Sequence, residues 1–438
     1  MGDLSQFISR ESLIQSLRSF TGRADVKLFD EFEVRRATKG AQGLTSIVLR
    51  VRVPYCLPED GRKLWKNFIV KAFPQNPFQM NLVKKGGLFD KEGVFFKEVV
   101  PLLVKASGGK VDVPLPNCYR AMIDGRCDAI YLEDLAESGY MTPDRTSHTN
   151  DLDYEHCSLV MGALGRFHAL TVATEQLLLP SKNWLDAFPI FSTDSLFYCH
   201  KEGESTPPLL PTAEASYETL LKMSRLMDGV PKKVEASGAL RKVLENNWST
   251  LCRLVKCAPQ GCNVLSHGDC WLNNLLFRYE DGVPVEVKMI DLQIVRYCHP
   301  SIDILYFFSM CTSKEFRERN IDGLIHEYYK SLTKELNVLG YGAPPISLER
   351  LNQDMREIYR PFGVIINSFF RPNILLGEDF MPSERELNPT ELEKLFNTNN
   401  ATAIVNKFCR DPEFRTQMET IIREVVDWAF PQEAISDK

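Results

Sequence analysis

Residues 264–293 read VLSHGDCWLNNLLFRYEDGVPVEVKMIDLQ. Leu275 to Tyr279 is strand-like, Glu280 to Val283 is turn chemistry centred on Asp281-Gly282, and Val285 to Ile290 alternates apolar and polar for most of its length. That order predicts a β-hairpin. A hairpin folds its two ends together, so Asn274 and Asp291 are expected side by side, with Asp269 just upstream on the feeding loop. Apolar flanks hold these polar groups at one point, where they need partners. Two oxygen ligands beside a free carboxylate suit a hard cation such as Mg²⁺ and a base for a hydroxyl. Singly, each residue has a plainer reading. Asp281-Gly282 is a surface turn, Asn274 a turn cap, Asp291 a helix cap and His267 a hydrogen-bonded core histidine. Only the combination points to chemistry.

The rest of the chain narrows the class. With 438 residues, 44% apolar and 25% charged, it has the composition of a soluble globular protein of two or three domains' length. A net charge of −6 without Lys/Arg blocks argues against a nucleic-acid partner. The uninterrupted apolar runs are too short for a membrane span, and MGDLSQFISRESL lacks a signal-peptide core. Met1-Gly2 hints at myristoylation, but Gln6 stands where Ser or Thr is wanted. The twelve cysteines form no CxxC pair, so free thiols in a reducing, cytoplasmic setting are expected. Nothing in the sequence sets the oligomeric state.

The front third reads as mixed α/β. Glu11 to Phe20 predicts a helix, Phe32 to Ala37 and Ser46 to Val53 strands, and 68–73 (FIVKAF) another strand. Phe89 to Leu103 predicts a helix ending near Pro101, and Ala129 to Leu132 a short strand entering Glu133-Asp134-Leu135. Thereafter helices dominate. Cys157 to Glu175 reads as strongly amphipathic, and Tyr217 to Met227, Ala239 to Val255, Ile302 to Ser313, Phe316 to Asn337 and Ser347 to Phe370 also read as helical. A last helix, 411–429, starts with Asp411 as N-cap and Pro412 at its first position.

A phosphate-handling site also needs a cation. Lys71 ends the FIVK strand, and Glu92 on the next predicted helix is a candidate partner, although spacing leaves open an exposed Lys and an ordinary surface Glu. The turn Lys39 to Thr45, with Gly40 and Gly43, can lay backbone N–H groups over phosphates.

Taken in order, the glycine turn, Lys71, Glu92, YLEDL (131–135), LGRFHAL (164–170), SHGDCWLNNLLF (266–277) and MIDLQ (289–293) resemble the ecdysteroid kinase-like family of small-molecule kinases. These belong with the aminoglycoside and choline kinases. The resemblance implies an α+β, bilobal protein-kinase-like fold, with a β-rich N-lobe at 1–133 and a mainly helical C-lobe at 134–438. It implies ATP and Mg²⁺ as cofactors and a small-molecule alcohol, such as an ecdysteroid or xenobiotic, as substrate. Asp269 would accept or orient the hydroxyl proton, while Asn274 and Asp291 would hold Mg²⁺. Lys71, positioned by Glu92, would meet the phosphates under the turn of Gly40, Gly43 and Ser46. Glu133, Asp134 and Leu135 would form the adenine hinge, and Asp303 would support the catalytic loop. The phosphate turn, KGAQGLTS, departs from the family wording. Gly268 stands where protein kinases carry Arg, and no APE-like segment follows Asp291, which argues against a protein substrate.

Three alternatives compete. A nucleotide-binding pseudokinase should have lost a catalytic group, yet none is missing. A metallophosphoesterase needs more histidines than the seven present. A choline-type kinase would want an aromatic and acidic cage, for which Trp271, Tyr297, Phe307, Phe369 and Phe370 are candidates.

Overall fold

The structure is a computed structural model that describes residues 4–37, 45–59, 61–125, 128–143, 151–178, 183–200, 206–228, 230, 238–259, 261–377, 388–398 and 400–431. Gly40 and Gly43 lie outside them.

The front third is an antiparallel sheet of β1 (Lys27–Leu28), β2 (Glu33–Arg36), β3 (Ile47–Cys56), β4 (Leu64–Ala72), β5 (Cys118–Met122) and β6 (Ala129–Glu133). The strand order is β1-β3-β4-β6-β5, and β2 also pairs with β3. Period-two alternation decides which face each residue serves. Leu49, Val51, Val53, Phe68, Val70 and Tyr131 face a small core shared with Leu13 and Leu17 of the helix Arg10–Thr21. Lys71 is one residue out of step with Val70 and pairs with Ile130. It therefore shares the opposite face with Ile130 and Leu132, which join the main core with Phe89, Phe95 and Phe96.

The helix expected to end near Pro101 instead runs on. Leu88–Val94 passes through a π turn, Phe95–Val99, into Val100–Ser107. Proline lacks an N–H and its ring collides with the carbonyl four residues back. The π turn widens the helix just before Pro101 and so removes the collision. The same device precedes Pro361, where Leu348–Asp354 continues through Met355–Tyr359 into Arg360–Leu376. A helix missed in the sequence, Pro77–Gly86, carries good start chemistry: Asn76 caps it and Pro77 opens it.

In the helical part, Tyr154–Leu178 packs along Lys314–Val338. A Cβ on Gly165 would come within 2.5 Å of the Tyr328 carbonyl, so the glycine permits the close crossing. The expected amphipathic stripe is a correction. Phe167, His168, Ala169, Leu170 and Thr171, five successive residues that point all round the helix, are fully buried, because neighbours cover it on most sides. It is the one helix among the described residues long and apolar enough to cross a membrane, and 78% of that stretch is buried within the protein. Asp411 caps the helix Pro412–Ala429 as its sequence predicts.

The predicted hairpin is present as β9 (Leu275–Glu280) and β10 (Val283–Met289), preceded along the chain by β7 (Tyr140–Met141) and β8 (Val264–Ser266) and followed by β11 (Arg296–Cys298). Asp281 (φ 50°) and Gly282 (φ 80°) are both left-handed, as a type I′ turn requires. β7 adds a third strand to the hairpin. β8 pairs with β11, Val264 against Cys298 and Ser266 against Arg296. These three-residue strands are too short to leave a pattern, yet they clamp both ends of the 264–298 segment together.

Candidate active site

Asp269 sits between β8 and β9 on a loop held from below by one buried carboxylate. Asp303, fully buried in the first turn of the helix Ser301–Cys311, accepts the His267 N–H at 2.7 Å and the Gly268 N–H at 2.8 Å. His168 reaches the same carboxylate at 3.0 Å, and its other ring nitrogen meets the Tyr328 hydroxyl at 2.8 Å. Burial would lift the Asp303 carboxyl, but His168 and the loop amide outweigh it and hold the group below the ordinary range. Gly268 has φ 82°, and a Cβ there would lie 2.2 Å from the Ile294 carbonyl oxygen. Glycine is thus a steric requirement at this position.

His267 is fully buried and structural. One ring nitrogen accepts the Asp269 N–H at 3.2 Å, and the other meets the Ile290 carbonyl at 2.9 Å. Asn274 donates its amide to the Asp269 carboxylate and to the Asp269 carbonyl, both at 2.9 Å. The other Asp269 oxygen accepts the Tyr306 hydroxyl at 2.7 Å. Burial and, next, the nearby Asp291 push the Asp269 carboxyl above its ordinary value, against Tyr306 and Asn274.

The hairpin closes as expected: the Ile290 N–H donates to the Asn274 carbonyl at 3.0 Å, bringing Asp291 beside Asn274. Asp291 occupies left-handed backbone, φ 72°. Its carboxylate accepts Lys71 Nζ at 2.5 Å on one oxygen and Gln293 Nε2 at 3.1 Å on the other. Lys71 also donates to Glu92 at 2.5 Å. Glu92 is 1% exposed, and its second oxygen accepts the Leu292 N–H at 3.2 Å. One glutamate therefore links the β4 lysine to the loop after β10. Burial disfavours the Lys71 ammonium, but Asp291 and Glu92 outweigh it and raise its pKa. Burial lifts the Glu92 carboxyl, Lys71 opposes that and Asp291 adds to it.

Lys71, Glu92 and Asp291 form one ion-paired group and Asn274 and Asp269 a hydrogen-bonded pair, and the backbone bond from Ile290 to Asn274 joins the two into one set drawn from β4, the Leu88–Val94 helix, the β8–β9 loop and the end of the hairpin. Ser46 is buried immediately before β3. Glu133 accepts from Asn117, and Asp134 is turned into Arg50 of β3 at 2.5 and 3.0 Å, so these two carboxylates serve the chain itself. Leu135 is buried in the turn that follows. Phe307 and Phe369 are fully buried core, which removes them from any substrate cage. Tyr297 donates to Glu175 at 2.9 Å. The eleven described cysteines are free thiols. Sequence reasoning missed Tyr306 and Gln293. Tyr306 had a usable signal, three residues beyond Asp303 on the same helix face.

Residues 40–341 match the family model described as ecdysteroid kinase-like. The chain belongs to the ecdysteroid kinase-like family. It is a small-molecule phosphotransferase, and its described residues form an antiparallel-sheet lobe and a helical lobe. No curated protein matches it. Among solved structures, a Ralstonia eutropha protein assigned as an aminoglycoside phosphotransferase is similar at 12% identity, covering 95% of this chain and 98% of that one, with a TM-score of 0.40. An aminoglycoside 2′-phosphotransferase-IIIa bound to GDP is similar at 11% identity, covering 96% and 100%, with a TM-score of 0.39. A spectinomycin phosphotransferase bound to AMP is similar at 13% identity, covering 81% and 90%, with a TM-score of 0.29.

Proposed function

We propose that this ecdysteroid kinase-like protein transfers the γ-phosphate of ATP to a hydroxyl of a lipophilic small-molecule alcohol, such as an ecdysteroid or a xenobiotic. The observation that carries the reading is the connected set itself. A strand lysine held by a buried glutamate meets, at Asp291, a loop that presents a half-buried aspartate.

The residues fit Mg²⁺ by their donor chemistry. Asn274 and Asp291 offer hard oxygens and would hold the ion; with the Asn274 amide nitrogen spent on Asp269, its side-chain oxygen would be the ligand. Mg²⁺ bound there would offset the charge of the phosphates. Lys71 then pairs with the phosphates while keeping Glu92. Backbone groups of the hinge Glu133 to Leu135 line the adenine, and the turn with Gly40, Gly43 and Ser46 covers the phosphates. The lobes divide near residue 133.

Asp269 orients the alcohol for in-line attack. The substrate oxygen bonds to the γ-phosphorus, the bond to the β–γ bridging oxygen breaks, and the hydroxyl proton leaves toward Asp269. Positioning and charge neutralisation do most of the work, because the transition state is loose. With Phe307 and Phe369 in the core, a complete aromatic cage for a quaternary amine loses two of its five candidates. An apolar cleft for a steroid-like alcohol would draw on the same residues and loses the same two, so the acceptor panel below separates the two types.

The test is incubation with ATP and Mg²⁺ against a mixed library of steroids, glycosides and amino alcohols, with mass detection of phosphate adducts. A phosphorylated lipophilic alcohol is the expected result. Absence of any adduct, together with absence of Mg²⁺-dependent ATP consumption, would overturn the kinase reading in favour of a nucleotide-binding protein.

A further inference from the structure

We infer that Tyr306 is a positioning residue that holds the Asp269 carboxylate in its working orientation, an inference that rests on the kinase reading above. The geometry is specific. Asp303 and Tyr306 lie three residues apart on the helix Ser301–Cys311, so both project from one face toward the same loop. Asp303 grips the backbone of His267 and Gly268. Tyr306, one turn further, grips the side chain of the next residue, donating its hydroxyl to Asp269 Oδ1 at 2.7 Å. Asn274 holds the other oxygen, Oδ2, at 2.9 Å. Each carboxylate oxygen therefore has its own donor, one from the helix and one from the loop.

Without Tyr306 the carboxylate would be held at one oxygen only and could swing about its terminal torsion, which is broad for aspartate. Tyr306 cannot swing with it. Its ring is buried, 5% exposed, and packs against Phe370 with centroids 6.4 Å apart. Burial and, next, the Asp269 charge push the phenol well above its ordinary pKa, so it remains the donor. A misaimed base misaligns the attacking hydroxyl while leaving the nucleotide untouched, and small misplacements cost rate steeply.

The experiment compares wild type, Tyr306→Phe, Asp269→Asn and the double variant on one alcohol that the wild type phosphorylates. Tyr306→Phe is expected to lower kcat by about 10- to 100-fold, with KM for ATP and Tm close to wild type. It should also raise ATP hydrolysis relative to transfer. In the Asp269→Asn background the same substitution should cost nothing more, because Tyr306 acts through Asp269. Ser309→Ala serves as the control. It removes another buried hydroxyl of this helix, which donates to the Gly363 carbonyl at 2.9 Å, and should leave kcat within about twofold. Wild-type kcat in Tyr306→Phe, or an equal loss in the Asp269→Asn background, would overturn the inference while the kinase reading stands. A wild type that phosphorylates no alcohol overturns the kinase reading and the inference with it.

Discussion

The Asp269 loop and the Lys71 cluster adjoin near Asp291, yet they are held in different ways. The loop is fixed by hydrogen bonds: Asp303 accepts from its backbone, Tyr306 and Asn274 donate to its carboxylate, and the His267 ring accepts the Asp269 N–H. The cluster is one ammonium between two carboxylates, brought from β4, the Leu88–Val94 helix and the end of the hairpin. These bonds are all made within the chain itself. The cluster is held by charge, and on the proposed function phosphates and a cation would compete for the two partners of its Lys71–Asp291 contact. On the proposed function the loop would serve aim and the cluster charge handling.

The largest expected effect separates aim from architecture. Asp269→Asn should lower kcat about 10²- to 10⁴-fold while nucleotide binding survives, read by steady-state kinetics and nucleotide titration. Because burial and Asp291 oppose the charge, Tm should hold or rise. Wild-type turnover would remove Asp269 from the mechanism.

Breaking the cluster should instead show in stability. Lys71→Met strands the buried Glu92 charge and is expected to cost about 3–5 kcal/mol, measured by denaturant unfolding. Adding Glu92→Leu should recover part of that loss. If the second substitution deepened it, the pair would not be the electrostatic unit described. Gly268→Ala should destabilise by about 1–3 kcal/mol from backbone strain alone, with the Ile294 carbonyl contact adding to it. An alanine variant as stable as wild type would show that the loop can relax. The smallest effect is expected at the hairpin tip. Gly282→Asn keeps a residue tolerant of left-handed backbone and should stay within about 0.5 kcal/mol and leave kcat unchanged. A kcat effect there would mean that the hairpin does more than close its ends.

Much of this was legible because it is local. The hairpin follows from Asp281-Gly282 between two strand-like runs, and its closure brings Asn274 beside Asp291 without further information. The start of the last helix follows from Asp411-Pro412. The helix through Pro101 was misread because a π turn depends on cooperation between successive turns, which residue preference does not encode. The burial of Tyr154–Leu178 was missed because covering elements come from distant parts of the chain.

The sequence by itself determined which groups are available for the proposed phosphoryl transfer and the order in which they occur, since residue type and short spacing carry that information. Only the tertiary structure decided which of them meet. Lys71 and Asp291 lie 220 positions apart and touch, and Tyr306 reaches Asp269 across 37. Such pairings depend on how sheet, helix and hairpin pack against one another, and packing is a property of the whole core rather than of any segment in it.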